Sequence, residues 1–135
     1  MDRHIDAIVI HCSDTPAHMD IGLETIRKWH VDENGWSDVG YHYIIRRDGS
    51  SERGRAEERP GAHVRGHNQN TIGICMVGGK PDANFTAAQW SRLRKIVAHL
   101  KSSYADAAVK GHRDYDRSKT CPCFDVEAWW SRRPQ

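Results

Sequence analysis

The stretch "AIVIHC", residues 7–12, is a short apolar run rich in β-branched side chains. A run of this length and composition, bounded by polar residues, is typical of a β-strand buried on both faces of a sheet. His11 falls at the end of the run, where a strand holds a side chain rigidly beside a loop. The run therefore predicts a buried strand that presents a histidine at its end.

The segments that follow alternate between helical and extended patterns. Apolar residues recur at helical spacing over residues 22–32 and stop at "ENG", and "DG" at 48–49 forms the turn of a hairpin that begins at Tyr41. Further segments are "TIGICMVGG" (71–79) as a second buried strand, "AAVKGH" (107–112) as a short strand, and "FDVEAWWSRR" (124–133) as a final helix with Asp125 near its cap.

The clearest helix begins at Thr86. In "TAAQ", the threonine hydroxyl can accept a bond from a first-turn amide while Gln89 reaches back to the cap, which is a capping box. One apolar face follows at three- and four-residue steps, formed by Trp90, Leu93, Val97, Leu100 and Tyr104. Interleaved strands and helices predict the α/β class: a single domain, residues 1–135, with a central mixed β-sheet flanked by about three helices.

Composition narrows the class of protein. The chain has 135 residues, 38% of them hydrophobic and 28% charged, which suits one globular domain rather than a disordered chain. The net charge of +2 comes from interspersed acids and bases, so no basic stripe favours nucleic acid. No segment approaches the ~18 apolar residues of a membrane span. The apolar run 7–10 is too short for a secretory signal, so we expect the chain to stay in the cytoplasm where it is made.

The four cysteines are Cys12, Cys75, Cys121 and Cys123. A chain made in a reducing compartment more often uses thiols as core residues or metal ligands than as disulfides, so we expect no disulfide framework. Cys75, inside "IGICMV", is expected to be a small buried hydrophobic residue.

Two histidines at predicted strand ends raise the possibility of a metal site. His11 and His112, joined by Cys121 or Cys123, would make a three-ligand zinc site with an open fourth position, which distinguishes catalytic zinc from structural zinc. The competing interpretation is a closed structural site in which Cys12 or Cys123 supplies a fourth ligand. The chain contains no zinc-finger spacing, P-loop, Gly-x-Ser-x-Gly or His-Glu-x-x-His motif.

Two further residues could act at such a centre. The ammonium of Lys119, two residues before Cys121, could stabilise the negative charge that develops on a carbonyl oxygen during hydrolysis. Tyr41 could offer a phenolic hydroxyl. Each has an ordinary alternative, because most lysines are solvated surface cations and most tyrosines in strands are packing residues.

Several long motifs occur in the same order as in a known protein family. The segments "IVIHCSDT", "IRKWHVDENGWSDVGYHYIIRRDG", "GAHVRGHNQNTIGICMVGG", "DANFTAAQW" and "GHRDYDRSKTCPCFD" span nearly the whole chain. In this order they resemble the zinc-dependent N-acetylmuramoyl-L-alanine amidases, the family of the amidase-type phage lysozymes (endolysins) and of the peptidoglycan recognition proteins. The likeness is greatest to the small single-domain phage enzymes.

The resemblance implies a role for each matching residue. His11, His112 and Cys121 fall on the family's zinc ligands, and Tyr41 and Lys119 match the residues that assist the attacking water and the oxyanion. His63, in "GAHVRGHN", matches a cleft position that we assign to substrate contact. Cys123 departs from the family, which usually has a small residue such as serine there, and the loop from His112 to Lys119 is a residue longer than in similar phage enzymes.

The expected activity is hydrolysis of the amide bond between N-acetylmuramic acid and L-alanine in peptidoglycan, by a monomeric Zn²⁺ enzyme acting as a phage endolysin. Two alternatives remain open at the level of sequence. One is a non-catalytic module that only binds peptidoglycan, and the other is a closed structural zinc domain that binds a protein or nucleic acid.

Overall fold

A five-stranded mixed sheet forms the centre of the fold, in the order β4-β3-β5-β1-β7. The computed structural model describes residues 3–36 and 38–132. The strands are β1 (Ala7–Cys12), β2 (Thr15–Pro16), β3 (Tyr43–Ile45), β4 (Ser51–Arg53), β5 (Thr71–Met76), β6 (Gly79–Lys80) and β7 (Ala108–Gly111), and the α-helices are α1 (Leu23–Lys28), α2 (Ala87–Ser103) and α3 (Val126–Ser131). The predicted class, a mixed sheet flanked by three helices in one small domain, is confirmed.

Strand β1 lies in the interior of the sheet. It pairs in parallel with β5 on one side and with β7 on the other, and all six of its residues are buried. Because side chains alternate between the two faces of a strand, Ile8 and Ile10 enter the main apolar cluster beneath α2, while Val9 packs with Val64 on the opposite face. The prediction of a strand buried on both faces is confirmed, and Cys75 in the neighbouring strand is fully buried, as expected.

Helix α2 is anchored by the predicted capping box. The Thr86 hydroxyl accepts a hydrogen bond from the Gln89 amide at 3.1 Å, and the Gln89 side chain accepts one from the Thr86 amide at 2.9 Å. The Gln89 Nε2 group also donates to the Val77 carbonyl at 2.7 Å, so this buried amide ties the start of the helix to the end of β5. Leu93, Val97 and Leu100 then bury the predicted apolar face.

Two parts of the chain differ from expectation. The helix predicted over residues 22–32 is α-helical only to Lys28 and widens into a π-helix at Trp29–Glu33. Within this wider turn, His30 accepts a hydrogen bond at Nδ1 from the Gly40 amide at 2.9 Å, and its ring lies 4.4 Å from the Trp36 ring. The short parallel pair of β2 and β6 was not predicted, because two-residue strands carry no periodicity.

The hairpin and the last helix follow the prediction. Strands β3 and β4 pair antiparallel around the turn that contains Gly49, whose φ of 88° suits glycine. Asp125 caps α3 by accepting a hydrogen bond from the Ala128 amide at 3.1 Å. Residue 133, the end of the predicted helix, lies outside the described residues. No helix among the described residues is long and apolar enough to cross a membrane.

Candidate metal centre and catalytic cleft

The carboxyl ends of β1 and β7 bring two distant histidines together. The strands are parallel neighbours, with Ile10 opposite Gly111, so the residues that follow this pair emerge at one edge of the sheet. His11 and His112 occupy those positions, and their ring centroids lie 4.5 Å apart. His11 is buried and His112 is half-buried.

Cys121 reaches the same edge from the loop between β7 and α3. Its Sγ accepts a hydrogen bond from the Cys12 amide at 2.9 Å, and its carbonyl accepts one from the Arg113 amide at 2.9 Å. These bonds fix the thiol beside the end of β1. One potential ligand atom from each of His11, His112 and Cys121 lies within 4.8 Å of the other two.

The donor set fits zinc. Two imidazole nitrogens and one thiolate sulfur are ligands that Zn²⁺ prefers, and three protein ligands leave one tetrahedral position for water or substrate. Among the described residues, these three form the cluster of potential ligands, and no fourth protein ligand closes it. The arrangement suits a catalytic zinc site better than a structural one.

The second thiol of the loop points elsewhere. Cys123 Sγ donates to the Gly79 carbonyl at 3.1 Å, on the β6 side, and its backbone has a φ of 74°. Cys123 is therefore outside the ligand cluster, although it is two residues from Cys121. All four cysteines are free thiols.

The electrostatic surroundings keep the imidazoles neutral, which is the form that binds metal. Burial, with additional contributions from His63 and His112, lowers the pKa of His11 well below its usual value. Burial and the nearby Lys119 ammonium lower the pKa of His112. Both rings therefore keep a lone pair at neutral pH.

Tyr41 and Lys119 line the same cavity as the three potential ligands. This cavity has a volume of about 380 Å³. The Tyr41 ring lies 5.1 Å from the His11 ring, and burial, reinforced by the Cys75 and Cys121 thiols, raises the pKa of Tyr41, so its hydroxyl stays protonated. Lys119 is exposed at the rim.

A second cavity of about 600 Å³ shares His112 and Lys119 with the first. It is also lined by Trp36, Ala62, His63, Val64, Arg65, Asn68 and Asp116. Most of these residues belong to the long polar segment 54–70, which connects β4 to β5. Together the two cavities form a cleft with the histidine–cysteine cluster at one end.

His63 lies deeper than expected for a substrate contact. It is only 7% exposed, and both ring nitrogens have protein partners: Nδ1 lies 2.9 Å from His11 Nε2, and Nε2 lies 3.1 Å from Thr71 Oγ1. Burial lowers the pKa of His63 to about 3. Substrate contact by His63 stays a prediction, and the structure adds a link to His11 that the sequence did not indicate. Thr71 was missed because "TIGICMV" carried only a strand signal.

Comparison with known proteins agrees with this arrangement. The family model described as N-acetylmuramoyl-L-alanine amidase matches residues 1–124. The chain belongs to the N-acetylmuramoyl-L-alanine amidase family. The matched segment of this family member includes all six predicted site residues.

Two relatives align in sequence with most of this chain. It is 48% identical to the endolysin of Klebsiella phage KP32 over 130 residues, which are 93% of this chain and 85% of that protein. It is 46% identical to the endolysin of Escherichia phage T7 over 132 residues, 94% of this chain and 86% of that protein.

Among solved structures, the N-acetylmuramoyl-L-alanine amidase LysC from Clostridium intestinale has a TM-score of 0.82 at 29% identity, covering 96% of this chain and 85% of that one. Bumblebee PGRP-SA has a TM-score of 0.81 at 24% identity, covering 98% of this chain and 88% of that one, and it shares the fold.

Proposed function

We propose that this family member is a zinc-dependent phage endolysin that hydrolyses the amide bond between N-acetylmuramic acid and L-alanine of peptidoglycan. The observation that carries the proposal is the cluster of His11, His112 and Cys121 at the end of an open cleft, with one ligand position free. Family membership and the phage endolysins at 46% and 48% identity support the reaction class. Residues 1–135 would act as one catalytic domain on peptidoglycan as a monomer.

The three clustered side chains would hold the ion. Zn²⁺ bound there would supply Lewis acidity toward an oxygen atom in the open position. The chain contributes neutral imidazoles, and the Cys12 amide that donates to Cys121 Sγ holds this sulfur beside the end of β1. Among the described residues no side chain offers a fourth ligand, so one coordination position would be left for water or substrate.

Lys119 would bind the carbonyl oxygen of the scissile amide. Its side chain lines both cavities, so its ammonium can reach a substrate that lies across the two. A cation placed beside the carbonyl oxygen stabilises the negative charge that develops in the transition state more than it stabilises the neutral ground state. We therefore assign Lys119 to the oxyanion.

Tyr41 would orient the attacking water. Its hydroxyl stays protonated because burial raises its pKa, so it can donate one hydrogen bond and accept another without changing charge. Its ring lies 5.1 Å from the His11 ring, which supports a role for the tyrosine beside the ligand cluster.

The second cavity would hold the part of the muropeptide that does not react. Its volume of about 600 Å³ lies within the range of small-molecule sites, and exposed Arg65 offers a charge partner for a stem-peptide carboxylate. Trp36, 36% exposed, offers a flat apolar surface there. The product would be a glycan strand released from its stem peptide. As a phage endolysin, the protein would wait in the host cytoplasm and reach the cell wall after release through the membrane.

Separate Cys121→Ser and Cys123→Ser variants test the ligand assignment. We expect Cys121→Ser to lose both bound zinc and release of peptide from purified peptidoglycan, while Cys123→Ser keeps both, because only Cys121 lies in the cluster. Mass spectrometry of the products should show peptides that begin with a free L-alanine amino group. Loss only in Cys123→Ser, or equal loss in both variants, would refute the ligand assignment. Wild-type protein that binds peptidoglycan but releases no peptide would favour the non-catalytic binding module.

A further inference from the structure

A chain of hydrogen bonds connects the backbone of the cleft loop to His11. Thr71 Oγ1 donates to the His67 carbonyl at 2.8 Å and also lies 3.1 Å from His63 Nε2. His63 Nδ1 in turn lies 2.9 Å from His11 Nε2. Thr71, His63 and His11 are 1%, 7% and 1% exposed, so bulk water does not compete for these bonds.

The direction of each hydrogen bond in this chain is set by the carbonyl group of His67 at one end. A carbonyl oxygen only accepts, so the single hydroxyl proton of Thr71 goes to His67, and Oγ1 can only accept from His63. His63 Nε2 therefore carries a proton, and the Nδ1 atom of a neutral ring accepts. The donor to that atom must be His11 Nε2–H, which leaves the lone pair of His11 at Nδ1.

Contacts with the loop and with β5 also fix the position of the His63 ring. Asn68 Oδ1 accepts hydrogen bonds from the His63 and Val64 amides, both at 2.9 Å, and so fixes the conformation of the loop just before β5. On β5, Gly73 lies directly against the ring: a Cβ atom there would come within 2.6 to 2.8 Å of three ring atoms of His63. The ring is therefore held between the loop and a strand position that leaves no space for a side chain.

We propose that Thr71 is a positioning residue for the metal centre: through His63 it holds His11 in the Nε2–H tautomer, with Nδ1 directed to the metal ion. This inference rests on the proposed zinc-dependent function. Histidine ligands generally donate their second ring N–H to a protein acceptor, which fixes the ring orientation and raises its basicity. Here the acceptor is another histidine, whose own tautomer is set by a threonine and a backbone carbonyl.

This role explains why His63 is buried at the floor of the cleft. Both of its ring nitrogens have hydrogen-bond partners: Nδ1 pairs with His11 and Nε2 pairs with Thr71. Thr71 itself lines neither cavity near the metal cluster and would act on the reaction only through the two histidines.

The test compares two variants. Thr71→Val removes the hydroxyl and keeps the shape of the side chain, whereas Thr71→Ser keeps the hydroxyl. Thr15→Val is the matched control, because Thr15 is also buried but its hydroxyl pairs with Ser13. Zinc affinity is measured by competition with a chromophoric chelator. We expect Thr71→Val to bind zinc about 10- to 100-fold more weakly, the usual effect of losing a partner of a metal ligand, with Thr71→Ser and Thr15→Val within about threefold of the wild type.

A second readout does not depend on the metal or on the variant folding. Long-range ¹H–¹⁵N spectra of the metal-free wild-type protein should show a proton on Nε2 of both His11 and His63. A proton on His11 Nδ1, or wild-type zinc affinity in folded Thr71→Val, overturns the inference. Protein that binds zinc with these tautomers but cleaves no amide refutes the proposed function and leaves the inference standing, whereas wild-type protein that binds no zinc overturns both.

Discussion

Replacing Lys119 with alanine should separate catalysis from metal binding. The side chain is exposed, and among the described residues no ion pair within 4.0 Å involves its ammonium. Its backbone amide donates to the Asp116 carbonyl at 3.0 Å, and alanine keeps that bond. We therefore expect the free energy of unfolding to change by no more than about 0.5 kcal/mol, as for other exposed substitutions.

The expected effect on turnover is much larger. Removing one donor to an oxyanion usually lowers kcat by about 10²- to 10³-fold, and solvent at the rim of the cleft weakens the charge of Lys119 relative to a buried donor. We expect a loss near the lower end, about 10²-fold, which corresponds to about 2.7 kcal/mol of transition-state stabilisation. The assay counts new alanine amino groups released from purified peptidoglycan, with zinc content measured on the same samples.

Arg117→Ala is the matched control for Lys119→Ala. Arg117 is exposed in the same loop and carries the same charge, but it lines neither cavity. We expect its turnover to stay close to that of the wild type. Wild-type turnover in Lys119→Ala would remove the lysine from the mechanism, and an equal loss in both variants would attribute the effect to the charge of the loop.

Three further outcomes follow from the structure. Thr86→Ala should lower the free energy of unfolding by about 1 kcal/mol in urea titrations, because it removes the cap of α2, whereas Thr86→Ser should keep most of it. Burial lowers the pKa of His42 to about 4, so the folded state resists protonation of this ring. The unfolded chain has a pKa of ~6.5 at this position, so the contribution of His42 to the free energy of unfolding is present above that pH. This contribution is lost as pH falls toward 4, by up to about 3 kcal/mol. The decline in unfolding free energy between pH 7 and pH 4 should be smaller in His42→Gln. Chelation of zinc should abolish peptide release but leave most of the near-ultraviolet circular dichroism, since the ligands are attached to an apolar core; cooperative unfolding by the chelator would instead indicate a structural site.

Local signals were sufficient for the framework of the fold. The apolar run of β1, the capping box at Thr86 and the Asp125 cap each depend on residues within a few positions, so sequence alone located them. His11 and His112 were recognisable because each follows a strand pattern. Their contact could be anticipated once both strands were placed in one sheet.

Contacts between distant segments were harder to predict. The choice of Cys121 over Cys123 depends on the path of an irregular loop, where no periodicity orients side chains. The link from Thr71 through His63 to His11 depends on the register of β5 beside β1 and on a loop folding over both. The π-helix at Trp29–Glu33 was also not predicted, because the spacing of apolar residues does not distinguish a π-helical turn from an α-helical one over so few residues.

The most direct test is to titrate Zn²⁺ into metal-free protein while counting the alanine amino groups released from peptidoglycan. We predict no release without zinc, then a linear rise that ends at one zinc per chain, and no rise in Cys121→Ser. Full release by the metal-free protein, or an undiminished zinc response in Cys121→Ser, would contradict the proposed zinc site.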